Sequence, residues 1–513
     1  MESYIKSNAS GMRVQAALCD KQVITDLAAD VSLPDYLPEI KRLLRVRATV
    51  TPPDKYIGAG AAELSGRIDY SILYTGNDGA LYSANEEGEY QFSVPLESTS
   101  DFELNEGLIC DVENAAEAVV GRVVSPRRLS LKCRLRSRVC IRGTRLLDEP
   151  LSGDGAGDLQ RLCGHAEAAR CFIGMGEPLT LGDEILTDAD AADLRVICAD
   201  AEVFVTEATA GSGVVNCRGE ACLKLLCCHE SAPLPPLTLT RRIPFSHTVT
   251  VDGVEVNCDA CANGIATDLH VTVEEGRILC EAVVSLRARA QRNESLTYTR
   301  DLYSTAAVCE TKKTQLILPH AERCLNGNFS LNTTMTLEEA GIRTGMTPVD
   351  LTLTPTVTSL EHEGGKTVLC GRCRVLAILC SGEETVAQEF ELPFRYLTDG
   401  DRSVSDYDAT VDPIACRARV DGERIAVDAE LAVSLTTRSA VSLEVLTEAN
   451  LGEKFTPVGA SMTVCYPARE DTLWSVAKRY HRAVGDVSEQ NGLANAPAAD
   501  SPDSLAGVKY LIV

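Results

Sequence analysis

Gly66-Arg67-Ile68-Asp69-Tyr70-Ser71-Ile72-Leu73-Tyr74 is the stretch that decides the fold. Ile68, Tyr70, Ile72 and Tyr74 fall on alternate positions, the period of a strand with one buried face. The stretch returns as Gly219-Glu220-Ala221-Cys222-Leu223-Lys224-Leu225-Leu226-Cys227 and as Gly371-Arg372-Cys373-Arg374-Val375-Leu376-Ala377-Ile378-Leu379. The three glycines stand 153 and 152 residues apart. The later versions place Ala221, Leu223, Leu225, Cys227 and then Cys373, Val375, Ala377, Leu379 on the matching face.

Two more features follow each glycine in constant order. The first is an aromatic and proline strand: Tyr90-Gln91-Phe92-Ser93-Val94-Pro95, Arg242-Ile243-Pro244-Phe245 and Phe390-Glu391-Leu392-Pro393-Phe394. The second is an arginine opening an alternating strand, at Arg128-Leu129-Ser130-Leu131, Arg277-Ile278-Leu279-Cys280 and Arg424-Ile425-Ala426-Val427. A unit of this size is a whole domain, not a solenoid module. Turn signals such as Gly76-Asn77-Asp78-Gly79 and Gly364-Gly365 separate its strands. The chain therefore reads as mainly β, with three repeated antiparallel β-sandwich or barrel-like domains at 1–150, 160–305 and 312–448.

The glycine-rich, acidic run Leu151–Asp158 predicts a flexible joint between the first two domains. A second joint is expected around Thr311-Lys312-Lys313-Thr314, and the third domain is expected to end near Asn450-Leu451-Gly452-Glu453. Leu37–Leu44 suggests a short helix, with Pro38 in its first turn.

Composition bounds the function. The chain has 513 residues, 45% hydrophobic and 24% charged, with 49 basic against 74 acidic side chains and a net charge of −25. So acidic a surface repels phosphate backbones and anionic lipid, which argues against nucleic-acid or membrane-surface binding. No stretch has the apolar length of a membrane span, and the N-terminus lacks the layout of a secretory signal. The expectation is a cytoplasmic protein whose 21 cysteines are reduced thiols packed as small hydrophobes. Cys258/Cys261 and Cys370/Cys373 have zinc-like spacing, but each pair falls in a strand-like stretch that points the two thiols to opposite faces. No metal site or cofactor is expected.

Catalytic signatures are missing as well. The sequence has no phosphate-binding Gly-x-x-x-x-Gly-Lys-Ser/Thr loop, no Gly-x-Ser-x-Gly elbow and no His-Glu-x-x-His helix. His165-Ala166-Glu167 opens like a zinc-deaminase motif, but its partner pair Cys258/Cys261 lacks the preceding proline and falls in another strand-like segment, so coincidence is the simpler account. Cys227-Cys228-His229 places Cys227 on the apolar strand face, where packing is the simpler role. The chain reads as non-enzymatic.

Residues 461–513 differ in kind. Met462–Tyr466 reads as a short strand. Leu473, Val476, Ala477 and Tyr480 then form one helical stripe, with Asp471 or Thr472 as cap and Lys478 and Arg479 at the C-terminal end of the dipole. A second helix around Val484–Gln490 stops at Asn491-Gly492, and Val508–Val513 closes the chain as a strand. This βααβ stretch holds five basic and six acidic residues, close to neutral beside a strongly acidic body. The linker before it suggests an independent core.

Asp471-Thr472-Leu473-Trp474-Ser475-Val476-Ala477-Lys478-Arg479-Tyr480 with Asn491-Gly492-Leu493 resembles a LysM domain. Together with the upstream domains, and with Leu33-Pro34-Asp35-Tyr36-Leu37-Pro38-Glu39-Ile40, the architecture resembles the SipL-type family of sporulation proteins, in which SPOCS domains precede a C-terminal LysM. The resemblance implies a spore-coat assembly adaptor in the mother-cell cytoplasm, at the forespore surface. Its implied partner is the coat scaffold ATPase, the stage IV sporulation protein A type. LysM domains commonly hold N-acetylglucosamine glycans between two loops. By position those walls are Glu470, Asp471, Thr472 and Leu473 against Asn491, Gly492 and Leu493, which gives the alternative of a peptidoglycan-binding wall or cortex protein. Glu470 stands where the LysM family usually has glycine, and the second loop carries the extra run Ala494–Pro502. Trp474, one position off the apolar stripe, either faces a partner or packs on the module's own sheet.

Overall fold

The computed structural model describes residues 12–513 except 59, 97–101, 103–106, 148–157, 187–193, 230–234, 275–276, 383, 401–403, 456–461 and 494–497. The joint expected at Leu151–Asp158 lies almost wholly outside the described residues. The chain is mainly β, built from antiparallel sheets.

A first β segment contains β1 (Met12–Ser32), β2 (Ile40–Val50), β3 (Asp54–Ile57), β4 (Ala61–Gly76), β5 (Leu81–Pro95), β6 (Ile109–Ser125) and β7 (Arg128–Leu147). One sheet has the order β1-β7-β6. In the other, β4 pairs with β2, β3 and β5. A second segment contains β8 (Leu159–Met175), β9 (Leu179–Leu186), β10 (Leu194–Ala210), β11 (Val214–His229), β12 (Leu237–Thr250), β13 (Asp259–Glu274) and β14 (Arg277–Ser304). Its sheets are β13-β14-β8, with β9 also on β14, and β10-β11-β12. A third comprises β15 (Ala307–Thr336), β16 (Thr347–Glu363), β17 (Lys366–Ser381), β18 (Glu384–Asp399), β19 (Asp406–Asp421) and β20 (Arg424–Lys454), in sheets β15-β20-β19 and β16-β17-β18.

In each segment the alternating face read from the sequence is buried. Ile68, Tyr70, Ile72 and Tyr74 meet Leu129, Leu131, Cys133 and Leu135. Ala221, Leu223, Leu225 and Cys227 meet Ile278, Cys280, Ala282 and Val284. Cys373, Val375, Ala377 and Leu379 meet Ile425, Val427, Ala429 and Leu431. The three glycines also occupy matching places. Gly66 lies opposite Tyr90, Gly219 opposite Phe245 and Gly371 opposite Phe394. A Cβ at any of them would collide with that ring, and at Gly219 and Gly371 also with a backbone oxygen. The aromatic covers bare backbone, so the glycine and the aromatic strand occur together.

The segments meet around a common centre. In register, Arg45 lies opposite Leu73, Cys198 opposite Leu226, and Asp350 opposite Ile378. Leu73, Leu226 and Ile378 share one apolar cluster. Beside it, the Arg45 guanidinium contacts Asp350 at 3.0 Å, Asp200 at 2.9 Å and the Cys198 sulfur at 3.4 Å.

The end of the chain forms β21 (Val464–Cys465), α1 (Leu473–Arg479), α2 (Val484–Gln490) and β22 (Leu511–Ile512), with a 3-10 turn at Pro502–Leu505. Thr472 caps α1 in a capping box with Ser475.

Several expectations change. Leu37–Leu44 is no helix. A tight turn leads into β2, because pairing with the buried β4 outweighs the weak propensity of so short a helix. Thr311–Thr314 lies inside β15, paired to Ala449–Val445 of β20, and only Thr305 and Ala306 separate β14 from β15. Asn450–Glu453 likewise remains within β20. Cys258 sits in the turn before β13, its sulfur accepting from the Glu255 N–H at 3.5 Å.

Candidate functional site

The C-terminal module was expected to have a core of its own, yet its core includes Tyr303 and Leu162 from the second segment. Asp301, near the end of β14, is the anchor. Its Oδ2 accepts from Trp474 Nε1 at 2.8 Å, and Lys478 Nζ lies 2.7 Å from its Oδ1. Burial pushes the Asp301 carboxyl up, but these two donors hold it below the usual range. Tyr303 packs edge-on against the Trp474 ring at 4.9 Å and donates its hydroxyl to the Arg482 carbonyl at 2.7 Å. Arg300 pairs with Asp500 at 2.9 Å. Trp474 is therefore buried in the module core that includes Cys465 and Leu511 of its short sheet, and its ring also docks on the second β segment.

Most of the remaining expected site residues are engaged within the module. Asp471 accepts from Arg479 and from the Ala468 N–H at 2.8 Å. The Leu473 N–H donates to Ser504 Oγ at 3.0 Å and the Trp474 N–H to the Ala499 carbonyl at 2.8 Å. Leu473 of the first wall of the expected glycan groove is thus tied to the 3-10 turn, and its neighbour Trp474 to the second loop, by the chain's own hydrogen bonds. Asn491 donates to the Val487 and Ile512 carbonyls and accepts from the Ile512 N–H, each at 2.8 Å. It clamps the last strand to α2. Gly492 adopts φ of 67° in the turn that ends α2, and Leu493 packs on the module core. Glu470 is exposed.

The outward surface is different. Cys465 and Leu511 point inward, while Val464 is exposed. Met462, Tyr466 and Tyr510, at 65%, 78% and 58% exposure, extend this apolar surface around the two short strands.

A second site lies between the three β segments, a cavity of about 740 Å³. Arg47, Glu113, Glu202, Arg287, Arg374 and Asp412 are among its lining residues. Asp200, just behind this wall, is pushed up by burial but held at about 2 by Arg45, Arg47 and Lys224. Asp412 has the opposite character: burial, reinforced by Glu202 and Glu113, pushes its carboxyl up to about 7.

All 21 cysteines are free thiols. Among the described residues no group of three or more His, Cys, Asp or Glu is arranged to hold a metal ion, and no helix is long and apolar enough to cross a membrane. No family model, curated protein or solved structure matches the chain.

Sequence reasoning missed Asp301, Tyr303, Arg45, Asp200, Asp350 and Asp412. For Arg45 one signal was present: an arginine set directly between Leu43-Leu44 and Val46, in a segment that closes on apolar Val50.

Proposed function

We propose that the chain is a non-enzymatic assembly adaptor of the SipL-type sporulation family, with three copies of one two-sheet SPOCS-like unit and a LysM-like module. On this reading it works at the forespore surface in the mother-cell cytoplasm. The module recruits the coat scaffold ATPase of the stage IV sporulation protein A type as a protein partner. The matching glycine–aromatic registers support common ancestry of the three units. The observation that carries the adaptor role is the state of the module. Leu473 of one glycan-type wall is bonded to the 3-10 turn and Asn491 of the other to the last strand, whereas an apolar surface of Met462, Val464, Tyr466 and Tyr510 stays exposed on a docked support. Aromatic anchors on such a surface are typical interface hot spots.

The test compares the full chain with a Tyr466→Ser/Tyr510→Ser variant, against purified scaffold ATPase and against chitin and peptidoglycan oligomers. The expected result is scaffold binding that falls about tenfold or more in the variant, with no glycan binding by either. Glycan binding without scaffold binding would replace the adaptor by a wall-binding protein.

A further inference from the structure

We propose that Cys261 and Cys324 are a redox-active dithiol that a hydroperoxide closes into a disulfide, stapling the second β segment to the third. Cys261 lies on β13 and Cys324 on β15, and both are buried. Their sulfurs converge on one hydroxyl: Thr436 Oγ1 is 3.4 Å from Cys261 and 3.5 Å from Cys324. The two strands are held together at this point by Asn326, two residues from Cys324. Its amide donates to the Ala262 carbonyl at 2.7 Å and accepts from the Ala262 N–H at 2.9 Å. The thiols are therefore positioned by a clamp on the residue next to Cys261.

Comparison of the three segments identifies the nucleophile. Cys261 lies opposite Arg289 in β14. The matching positions are Asp111, opposite Cys140, and Asp408, opposite Thr436. Both aspartates are anions in arginine pairs. Asp111 binds Arg287 and Arg289 at 3.1 and 2.9 Å, and Asp408 binds Arg438 at 3.1 Å. Cys261 thus occupies the anion position of its own segment. Arg289 Nη1 is buried there without a hydrogen-bond partner, a donor that a thiolate would satisfy. The neighbouring Cys324 is the main influence that pulls the Cys261 thiol down, against burial and helped by Arg289, Ser434 and Thr436, while the Cys324 sulfur itself donates to the Arg289 carbonyl at 3.7 Å. Cys324, pushed up by burial and by Cys261, keeps its proton. One thiolate beside one thiol is the arrangement that peroxide chemistry requires.

Both sulfurs are buried behind the cavity wall, which includes Asn263 two residues along β13 from Cys261, so the oxidant enters from the cavity when that wall opens locally. The Cys261 thiolate attacks one peroxide oxygen and the O–O bond breaks. The departing oxygen takes a proton and leaves as water or an alcohol, so Cys261 becomes a sulfenic acid. The Cys324 sulfur then attacks the Cys261 sulfur. The S–S bond forms, the S–O bond breaks, and the Cys324 proton leaves with the hydroxide as water. Two electrons pass from the dithiol to the peroxide.

The test treats the full chain with hydrogen peroxide and quenches it in denaturant with N-ethylmaleimide. Non-reducing digestion and mass spectrometry then read the cysteines. The expected result is a Cys261–Cys324 linked peptide in most molecules, reversed by dithiothreitol, together with a higher unfolding midpoint for the oxidised wild type. Cys324→Ser should abolish the link and leave Cys261 as a sulfenic acid trapped by dimedone. Wild-type protein in which both residues return as maleimide adducts while exposed Cys163 is oxidised overturns the proposal. A different linkage, such as Cys258 with Cys261, overturns it equally.

Discussion

The three β segments meet around buried ions beside an apolar cluster, whereas the C-terminal module is held chiefly by Asp301 and the packing of Tyr303 on Trp474, with the Arg300–Asp500 pair at its side. Arg45 is almost fully buried between Asp200 and Asp350, which in turn bind Arg47 and Lys224. Such a network gains little net stability, because desolvation offsets the attraction, but it becomes very costly to leave half-made. It fixes how the segments sit, since each charge finds its partner only in one arrangement. The module contact has the opposite balance. Its ring packing contributes favourably by itself, and Asp301 is only partly withdrawn from water. The first contact specifies a geometry, and the second attaches a part.

The comparison breaks most visibly at Arg45. Arg45→Ala should destabilise the body by about 3 kcal/mol, because it leaves the buried Asp350 with Lys224 alone and weakens Asp200, which keeps Arg47. Denaturant unfolding would measure this. A double Arg45→Leu/Asp350→Leu variant should cost less than the sum of its single changes. Acid should reproduce the effect. The Asp200 carboxyl is held near 2 when folded, below its unfolded value. Its stabilisation is therefore complete above about pH 4 and lost as the pH falls toward 2.

This network was largely illegible in the sequence. Alternation in Gly66–Tyr74 reveals the inner face of a strand, and the glycine–aromatic pairing can be anticipated because both are local or regularly spaced. The βααβ order was legible for the same reason, down to the Thr472 cap and the Asn491 stop. Alternation does not tell whether the outer face meets water or another segment. Arg45 and Asp350, 305 residues apart, look like ordinary solvent-facing charges. The polar run Thr311–Thr314 looked like a joint, yet it is part of a long paired strand whose outward face carries lysines. Trp474 was ambiguous because its partner Asp301 lies 173 residues upstream.

The module contact should yield at intermediate cost. Trp474→Ala removes the ring packed on Tyr303 and the bond to Asp301, and should weaken docking by about 2–4 kcal/mol. Hydrogen exchange should then accelerate across 464–493 while β4, β11 and β17 stay protected. Exchange that rises equally in those core strands would show that module and body unfold as one unit. Asp301→Asn is milder. It keeps an acceptor for the indole N–H but loses the Lys478 charge, for an expected loss of about 1 kcal/mol.

An effect confined to higher pH sharpens the comparison from inside the ionic centre, where Asp412 is the exception. Glu202 pairs with Arg47 and Glu113 with Arg289, and these carboxylates push Asp412 further toward its protonated form. Its folded value of about 7 lies above the unfolded one, so the neutral carboxyl is the stabilising form. That stabilisation is present below about pH 4 and is lost as the pH rises through 7. Asp412→Asn keeps the shape and removes the charge. It should leave stability unchanged at pH 4 and raise it at pH 8 by about 1–2 kcal/mol, a gain limited by screening from water in the cavity. Thermal unfolding of both proteins across this range would measure the difference. An equal gain at both pH values would mean that the side chain acts through packing. A loss at pH 8 would mean that the ionised carboxylate is compensated in the fold, as the other charges of the centre are.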